Sequence, residues 1–357
     1  MIKSTYIHIP FCKKKCKYCS FCSFENLNLK NDYIHALLSE IDYFYDKTPQ
    51  KTLYFGGGTP SLLEASDFSK IIGKFDFEPD YELTVELNPE STNPELLSAL
   101  KNLGVNRLSF GAQSFLDNDL KNIGRLHNSK DIFKTLVCAK EIGFSNISVD
   151  LIYGLPNQTL EAWEENLRIV KNLDISHISL YGLKIERGSY FYKNPPKSLP
   201  NDDIQADMYL KAIEVLDNFL HYEVSNFAKN EEYMSKHNLN YWNGEKYWGF
   251  GLSASGFLDE GRYTNTKNIK EYIKNPLVLK NTEQINPLEE RIFLGLRKIK
   301  GIDIEEINSE FNIDFEKKYK IPLQKYEKYF IKNGKMLSLN NEGILISNVI
   351  LAEFLED

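Results

Sequence analysis

The feature that most constrains the fold of this chain is an alternation of strand and helix patterns over its first half. Short apolar runs that predict strands cover residues 6–10, 51–55, 82–87, 107–110, 146–151 and 177–183. Helical spacing of apolar residues predicts helices over residues 32–45, 65–75, 94–103, 117–123, 129–142 and 159–172. Such alternation is typical of a parallel sheet with helical crossovers. Six units are fewer than the eight of a closed barrel, so we predict an α/β fold with an incomplete (β/α)6 barrel.

Glycines and polar residues stand where these predicted strands end. Three successive glycines, Gly56 to Gly58, follow the second strand, and such a run lets another group approach the backbone closely. Glu86, Gln113 and Asp150 end or follow three further strands. Because chemistry in parallel α/β folds sits at the carboxyl ends of the strands, these positions predict one shared active site.

The loop after the first predicted strand carries three cysteines, Cys12, Cys16 and Cys19, with the spacing C-x-x-x-C-x-x-C. Thiolates are soft ligands, and three of them on one loop suit three corners of a 4Fe-4S cluster. The fourth iron would then be open to a bidentate ligand, such as the methionine half of S-adenosylmethionine (SAM). A structural zinc site is the alternative, although zinc modules usually add a second cysteine pair or histidines. Cys22 is interpreted as a spare thiol beside the cluster rather than a ligand.

Composition excludes several classes of protein. The chain has 357 residues and a net charge of −7, which argues against a general nucleic-acid binder. It has no apolar run of about 18 residues, so we expect no membrane span. It also lacks a secretory signal pattern, and its cysteines do not resemble a disulfide framework. These observations predict a cytoplasmic protein.

The rest of the chain differs from the strand and helix repeats. We expect three domains: the barrel in residues 1–220, an aromatic and glycine-rich extension closing the site in residues 221–285, and a small C-terminal domain in residues 286–357. Within the last, helices are predicted over 287–296, 304–311, 315–330 and 347–355, with a hairpin of strands 336–339 and 344–346. The first three of these helices and the hairpin indicate an α+β, winged-helix-like module. Nearby acidic residues favour a structural or lid role over DNA binding.

Taken together, these motifs resemble the radical-SAM superfamily. The resemblance is to the branch that contains oxygen-independent coproporphyrinogen III oxidase and the HemW-type heme chaperones, and it covers almost the whole chain. It rests on these stretches besides the cysteine spacing: YIHIPFC at 6–12, GGGTP at 56–60, ELNP at 86–89, RLSFGAQS at 107–114, GRLH at 124–127 and DLIYGLP at 150–156.

The resemblance implies roles for individual residues. Cys12, Cys16 and Cys19 match the ligands of the 4Fe-4S cluster, and Tyr18 matches an aromatic position beside it. One electron from such a cluster cleaves the sulfonium of SAM and gives a 5′-deoxyadenosyl radical. No catalytic residue is assigned. The positions that match contacts to SAM are Tyr6, Gly57, Gly58, Thr59, Glu86, Gln113, Arg125 and Asp150. Taken singly, the acids Glu86 and Asp150 would be interpreted as capping or surface residues.

Two features separate the branches of this superfamily. Oxidase members carry a further cysteine where this chain has Phe21, and here Cys22 comes one position later. Residues 237–242 read HNLNYW and match the H-N-x-x-Y-W signature of the heme chaperones. The resemblance therefore implies a protein that binds heme, hands it to an acceptor protein and receives electrons from a donor. His237 is a candidate heme ligand or a hydrogen-bonded structural histidine. The alternative function is oxygen-independent oxidation of coproporphyrinogen III.

Overall fold

The computed structural model describes residues 1–277 and 283–355, which fall into two compact units. The first comprises Met1–Leu216 and Lys246–Glu283, and the second comprises Asp217–Glu245 and Gln284–Asp357. The expected domain boundaries after residues 220 and 285 stay a prediction. Residues 278–282 and 356–357 of the expected second and third domains lie outside the described residues.

The strands are numbered in chain order. They are β1 Ser4–Ile9, β2 Gln50–Gly57, β3 Phe77–Leu87, β4 Arg107–Gln113, β5 Asn146–Tyr153, β6 His177–Gly182, β7 Leu220–Glu223, β8 Asn226–Ala228, β9 Trp248–Phe250, β10 Ser255–Leu258, β11 Gly261–Thr264, β12 Ile302–Asp303, β13 Phe330–Asn333 and β14 Met336–Leu339.

The α-helices are numbered in the same way. They are α1 Lys30–Phe44, α2 Ala65–Ile72, α3 Pro94–Asn102, α4 Asp117–Ile123, α5 Ser129–Glu141, α6 Leu160–Lys171, α7 Tyr190–Lys193, α8 Asp202–Val215, α9 Lys236–Trp242, α10 Ile269–Lys274, α11 Pro287–Gly295, α12 Ile304–Phe311, α13 Phe315–Lys318, α14 Lys320–Lys325, α15 Asn341–Leu345 and α16 Ser347–Ala352. No helix in the described part of the chain is long and apolar enough to cross a membrane.

A parallel sheet organises the first unit. Its strands lie in the order β6-β5-β4-β3-β2-β1-β9, and every neighbouring pair is parallel. The predicted α/β fold and its six strand units, β1 to β6, are confirmed. Strand β9 was not predicted, and it pairs with the outer side of β1 although it lies more than 230 residues later in the chain.

The two faces of this sheet differ in polarity because side chains alternate along a strand. One row across neighbouring strands is apolar and fully buried, and it consists of Ile7, Phe55, Val85, Leu108 and Ile147. Helix α2 covers this face at Phe55, whose ring lies 5.3 Å from that of Phe68. A row on the opposite face is polar and consists of Glu86, Ser109, Ser148 and His177. The sheet therefore packs its core on one side and presents polar groups on the other.

A buried carboxylate fastens the later part of the first unit to helix α1. Glu40 is 0% exposed and accepts hydrogen bonds from the Gly251 amide at 2.8 Å, from the Asn265 amide nitrogen at 2.6 Å and from the Tyr272 hydroxyl at 2.5 Å. Burial raises the pKa of this carboxyl to about 7, although the three donors act in the opposite direction. Segment 246–277 is thus held by polar contacts that exclude water.

The second unit ends in a small α+β module. Its three strands pair antiparallel in the order β12-β14-β13. The predicted helix over 315–330 breaks into α13, α14 and a 3-10 turn, and Phe330 already begins β13. The second strand of the predicted hairpin was wrong. Strand β14 pairs with β13, which precedes it, and residues 341–345 are helical. Asn340 accepts a hydrogen bond from the Gly343 amide and so caps helix α15, a role that asparagine shares with turns.

Candidate functional site

The loop that follows β1 holds the cysteines. Cys12 is buried, whereas Cys16, Cys19 and Cys22 are partly exposed, and none of them forms a disulfide. The loop is closed on itself, because the Cys12 amide donates to the Phe24 carbonyl at 3.0 Å and the Phe24 amide donates back to the Pro10 carbonyl at 2.8 Å. The thiols therefore lie on a loop that backbone hydrogen bonds hold at the carboxyl end of β1, the position predicted from the sequence.

Two of the thiols receive hydrogen bonds from side chains that follow other strands. The Thr59 hydroxyl lies 3.5 Å from the Cys12 sulfur, and Nη1 of Arg125 lies 3.5 Å from the Cys16 sulfur. The Asn88 side chain joins the two donors, since it contacts Thr59 at 3.0 Å and Arg125 at 2.7 Å. The Nε of Arg125 is buried and has no hydrogen-bond partner among the described residues. Positive charge and spare donor capacity thus face the cysteine loop.

Burial controls the chemistry of the third cysteine. It raises the pKa of the Cys19 thiol to about 11, and the nearby sulfurs of Cys16 and Cys12 act in the same direction. Metal ligation needs the thiolate, so binding at this loop must release the Cys19 proton. Tyr18, which lies on the same loop, packs against an apolar cluster that includes Ile123 and Phe191.

The glycines after β2 allow tight packing rather than leaving open space. A Cβ on Gly57, which has φ +109°, would lie 2.6 Å from the imidazole of His8. A Cβ on Gly58 would lie 2.6 Å from the carbonyl oxygen of Phe11. The Gly57 amide donates to Glu86 at 3.2 Å. A side chain at either position would therefore collide with β1 or with the residues just after it, and the contact of Gly57 and Gly58 with SAM stays a prediction.

Two partly buried acids, Glu86 and Asp150, lie on β3 and β5. Glu86 accepts hydrogen bonds from the Tyr54 hydroxyl at 2.8 Å and from the Gly57 amide. Burial raises the pKa of Glu86 to about 7, and the negative charge of Asp150 adds to the effect. Asp150 accepts from the Ser109 hydroxyl at 3.1 and 3.2 Å, and burial raises its pKa as well. Both carboxyls can accept hydrogen bonds from hydroxyl or amine groups of a ligand.

The sequence did not predict a role for Arg107 and His177, two basic side chains on the same sheet as these acids. Arg107 is 2% exposed, and its Nη2 lies 3.4 Å from Nδ1 of His177, which also contacts the Ser148 hydroxyl at 2.8 Å. The charge of Arg107 lowers the pKa of both Glu86 and Asp150 and so opposes their burial. The sequence does contain a signal for Arg107. Side chains alternate along a strand, so Arg107 lies on the same face of β4 as Ser109.

The remaining predicted contacts lie on β1 and β4. The Tyr6 hydroxyl is 3.1 Å from Nδ1 of His8, and its ring stacks on Tyr54 with centroids 6.1 Å apart. Gln113 has φ +70°, a left-handed backbone that non-glycine residues seldom adopt and that clusters at functional sites. A Cβ on Gly111 would lie 2.9 Å from the Gln113 side-chain nitrogen, so that side chain folds over its own strand end.

His237 belongs to the second unit. It lies on helix α9, within the segment that we predicted as an aromatic and glycine-rich extension and for which no helix was predicted. The side chain is 1% exposed, and its Nε2 lies 2.7 Å from the hydroxyl of Tyr241, one helical turn later. The guanidinium of Arg297 lies 5.7 Å from the ring centroid of Trp242. The signature motif therefore makes contacts within its own helix and unit.

Comparison with known proteins settles the family. The model of the radical SAM superfamily matches residues 6–170, and the model of the HemN C-terminal domain matches residues 283–347. The chain is 37% identical to the heme chaperone HemW of Bacillus subtilis over 99% of both chains. It is 35% identical to HemW of Lactococcus lactis, over 99% of this chain and 97% of that one. The chain belongs to the HemW family of radical-SAM proteins.

One solved structure supports the fold of this HemW-family chain along nearly its whole length. Coproporphyrinogen III oxidase (HemN) from Escherichia coli superposes with a TM-score of 0.85 at 23% identity, covering 98% of this chain and 89% of that one. The incomplete radical-SAM barrel with a C-terminal HemN-type domain is therefore confirmed. At this identity the likeness concerns the fold.

Proposed function

We propose that this chain is a heme chaperone that binds heme and transfers it to acceptor proteins. The observation that carries the proposal is its similarity to proteins named heme chaperone HemW over 99% of its length. The HNLNYW stretch at residues 237–242 supports the same function. The cytoplasm is the compartment that we propose for this activity.

We propose further that Cys12, Cys16 and Cys19 hold a 4Fe-4S cluster. The donor set is soft thiolate, which suits iron and sulfide. The Nε of Arg125, which has no hydrogen-bond partner within residues 1–277 and 283–355, and the hydrogen bonds to two of the sulfurs suit an anionic group at this loop. A cluster bound there with one open iron would supply one-electron reduction of SAM.

The chain's own residues would hold SAM beside the cysteine loop. The proposed contacts are Tyr6, Gly57, Gly58, Thr59, Glu86, Gln113, Arg125 and Asp150, with Tyr18 beside the cluster. Among them, Glu86 and Asp150 are partly buried acceptors suited to hydroxyl and amine groups. Arg107 favours their ionised forms, in which every carboxylate oxygen accepts.

An electron donor for the cluster would approach the same loop. Four lysines, Lys13, Lys14, Lys15 and Lys17, surround Cys16 in sequence, although the chain as a whole carries a net charge of −7. Lys13 and Lys14 are exposed. Glu25 accepts a hydrogen bond from the Lys15 backbone amide and Glu186 accepts one from the Ser20 hydroxyl, so two acids also lie at this loop. The remaining positive charge favours a donor with an acidic surface.

Heme titration of the anaerobically reconstituted protein tests the chaperone proposal. We expect saturable binding, followed by transfer of the heme to an apo-acceptor such as apomyoglobin used as a probe. His237→Ala tests the ligand role against His35→Ala, a matched change at an exposed histidine of helix α1. Weaker binding in His237→Ala alone supports that role, and unchanged binding removes His237 from it.

A parallel assay separates the alternative enzyme function. The reconstituted protein is incubated with coproporphyrinogen III, SAM and a reductant, and porphyrin products are followed by fluorescence after oxidation. We expect no decarboxylated product. Formation of protoporphyrinogen would overturn the chaperone assignment in favour of the oxidase.

A further inference from the structure

We propose that Asn88 is a positioning residue that directs hydrogen bonds onto the sulfurs of Cys12 and Cys16 and thereby sets the reduction potential of the cluster. The inference rests on the proposed cluster at these cysteines. Asn88 contacts neither sulfur itself. It lies between Thr59 and Arg125, the two side chains that do.

The direction of each hydrogen bond follows from the chemistry of the groups. Arginine only donates, so the atom of Asn88 that faces Arg125 at 2.7 Å must be the oxygen Oδ1. Its nitrogen Nδ2 then faces the Thr59 hydroxyl at 3.0 Å and donates to it. Because the Thr59 oxygen accepts this bond, its own hydrogen is available to Cys12 at 3.5 Å. One amide therefore orients donors on two separate cysteines.

The position of this amide is fixed by its backbone. The Asn88 carbonyl accepts from the Ser91 amide at 3.1 Å and from the Thr92 hydroxyl at 2.8 Å. The Asn88 amide donates to the Ser61 hydroxyl at 3.3 Å. Arg125 is restrained from its other side, because Nη2 also donates to the Gly111 carbonyl at 2.5 Å. The end of β3 thus presents the side chain of Asn88 in one orientation.

The effect on the cluster has a clear sign. Reduction adds negative charge to the iron and sulfur atoms, and hydrogen bonds to the sulfurs stabilise that charge. Donors held on Cys12 and Cys16 therefore raise the reduction potential. Loss of the amide that orients them moves the potential to a more negative value.

Spectroelectrochemical titration of the reconstituted protein without SAM measures this effect. Asn88→Ala is expected to shift the midpoint potential to a more negative value, while the iron content stays at the wild-type level. Thr59→Val, which removes only the hydroxyl, is expected to give a smaller shift of the same sign. In Asn88→Asp the new carboxylate accepts the Thr59 hydroxyl hydrogen and so withdraws it from Cys12.

A double-mutant cycle separates orientation from added charge. Asn88→Asp should shift the potential less in a Thr59→Val background than in the wild type, because no hydroxyl remains to be redirected. Asn118→Asp, at an exposed position on helix α4, serves as the matched charge control. Equal shifts in the two backgrounds, or an unchanged potential in Asn88→Ala, would overturn the proposal.

The outcomes for the cluster and for Asn88 remain distinct. A wild-type protein that takes up no iron and sulfide refutes the proposed cluster itself. A wild-type cluster whose potential is unaffected by the cycle refutes only the role of Asn88. If Asn88→Ala binds no cluster, the Thr59→Val and Asn88→Asp variants still decide the question, since each keeps a polar or isosteric side chain.

Discussion

The buried carboxyl of Glu40 predicts a specific dependence of stability on pH. Its pKa rises from an ordinary value of 4.5 to about 7 on folding. Between these two values the native state holds a proton that the unfolded state has lost. Stability therefore decreases as pH rises through this window, with a slope of about 1.4 kcal/mol per pH unit at most. Across the whole window this corresponds to roughly 3 kcal/mol.

Glu40→Gln isolates this contribution, because glutamine is neutral at every pH and similar in shape. Urea unfolding of both proteins is followed by circular dichroism at several values between pH 5 and pH 8. We expect the free energy of unfolding of the wild type, relative to Glu40→Gln, to fall by roughly 3 kcal/mol over that range. Other acids with a raised pKa, such as Glu86, cancel in this difference, since both proteins contain them.

A control in the same segment sharpens the test. Glu260→Gln removes an acid that is exposed at the turn between β10 and β11. Its difference from the wild type should change little with pH. A Glu40→Gln difference that is equally flat would refute the inference that Glu40 is buried among neutral donors.

Three further predictions concern the site itself. Cys19→Ser should abolish the brown absorbance and iron content of the reconstituted protein, whereas Cys22→Ser should retain both; loss in both variants would make Cys22 a ligand. SAM affinity, measured by anaerobic calorimetry, should weaken by up to roughly tenfold per pH unit below about 7 and lose this dependence in Glu86→Gln, because the ionised carboxylate is the better acceptor. Lys14→Glu should slow cluster reduction by an acidic flavoprotein roughly tenfold at low salt but not reduction by dithionite. Lys51→Glu, at the opposite end of strand β2, should slow neither reduction reaction. If the rate of reduction of the wild type by the flavoprotein does not depend on salt, an electrostatic role of the lysines around Cys16 is contradicted.

The sequence predicted the parts of the site that depend on chain order and spacing. Strand ends gather at one edge of a parallel sheet, so Cys12, Thr59 and Glu86 could be assigned to one site without coordinates. The amide of Asn88 could not be assigned a role in this way. Its function depends on two side-chain contacts from different elements, and asparagine before proline is also an ordinary turn signal.

Errors at the C-terminal end of the chain have a local physical cause. Asparagine serves both hairpin turns and helix N-caps, so residues 340–343 predicted a turn where Asn340 in fact caps a helix.

Helix α9 was not predicted, because Asn and aromatic residues have weak helix propensity. Ser235 accepts from the Asn238 amide and starts that helix, a signal the sequence does contain.

The pairing of β9 with β1 has a consequence for biosynthesis. The strand that leads into the cysteine loop is an interior strand only after Trp248–Phe250 has been added to its outer side. Until the ribosome has released that segment, β1 is an edge strand, with unpaired backbone groups next to the four cysteines. Contacts of such long sequence separation form slowly. The cysteine loop should therefore acquire its native surroundings late in synthesis, and metal insertion should follow folding rather than accompany it.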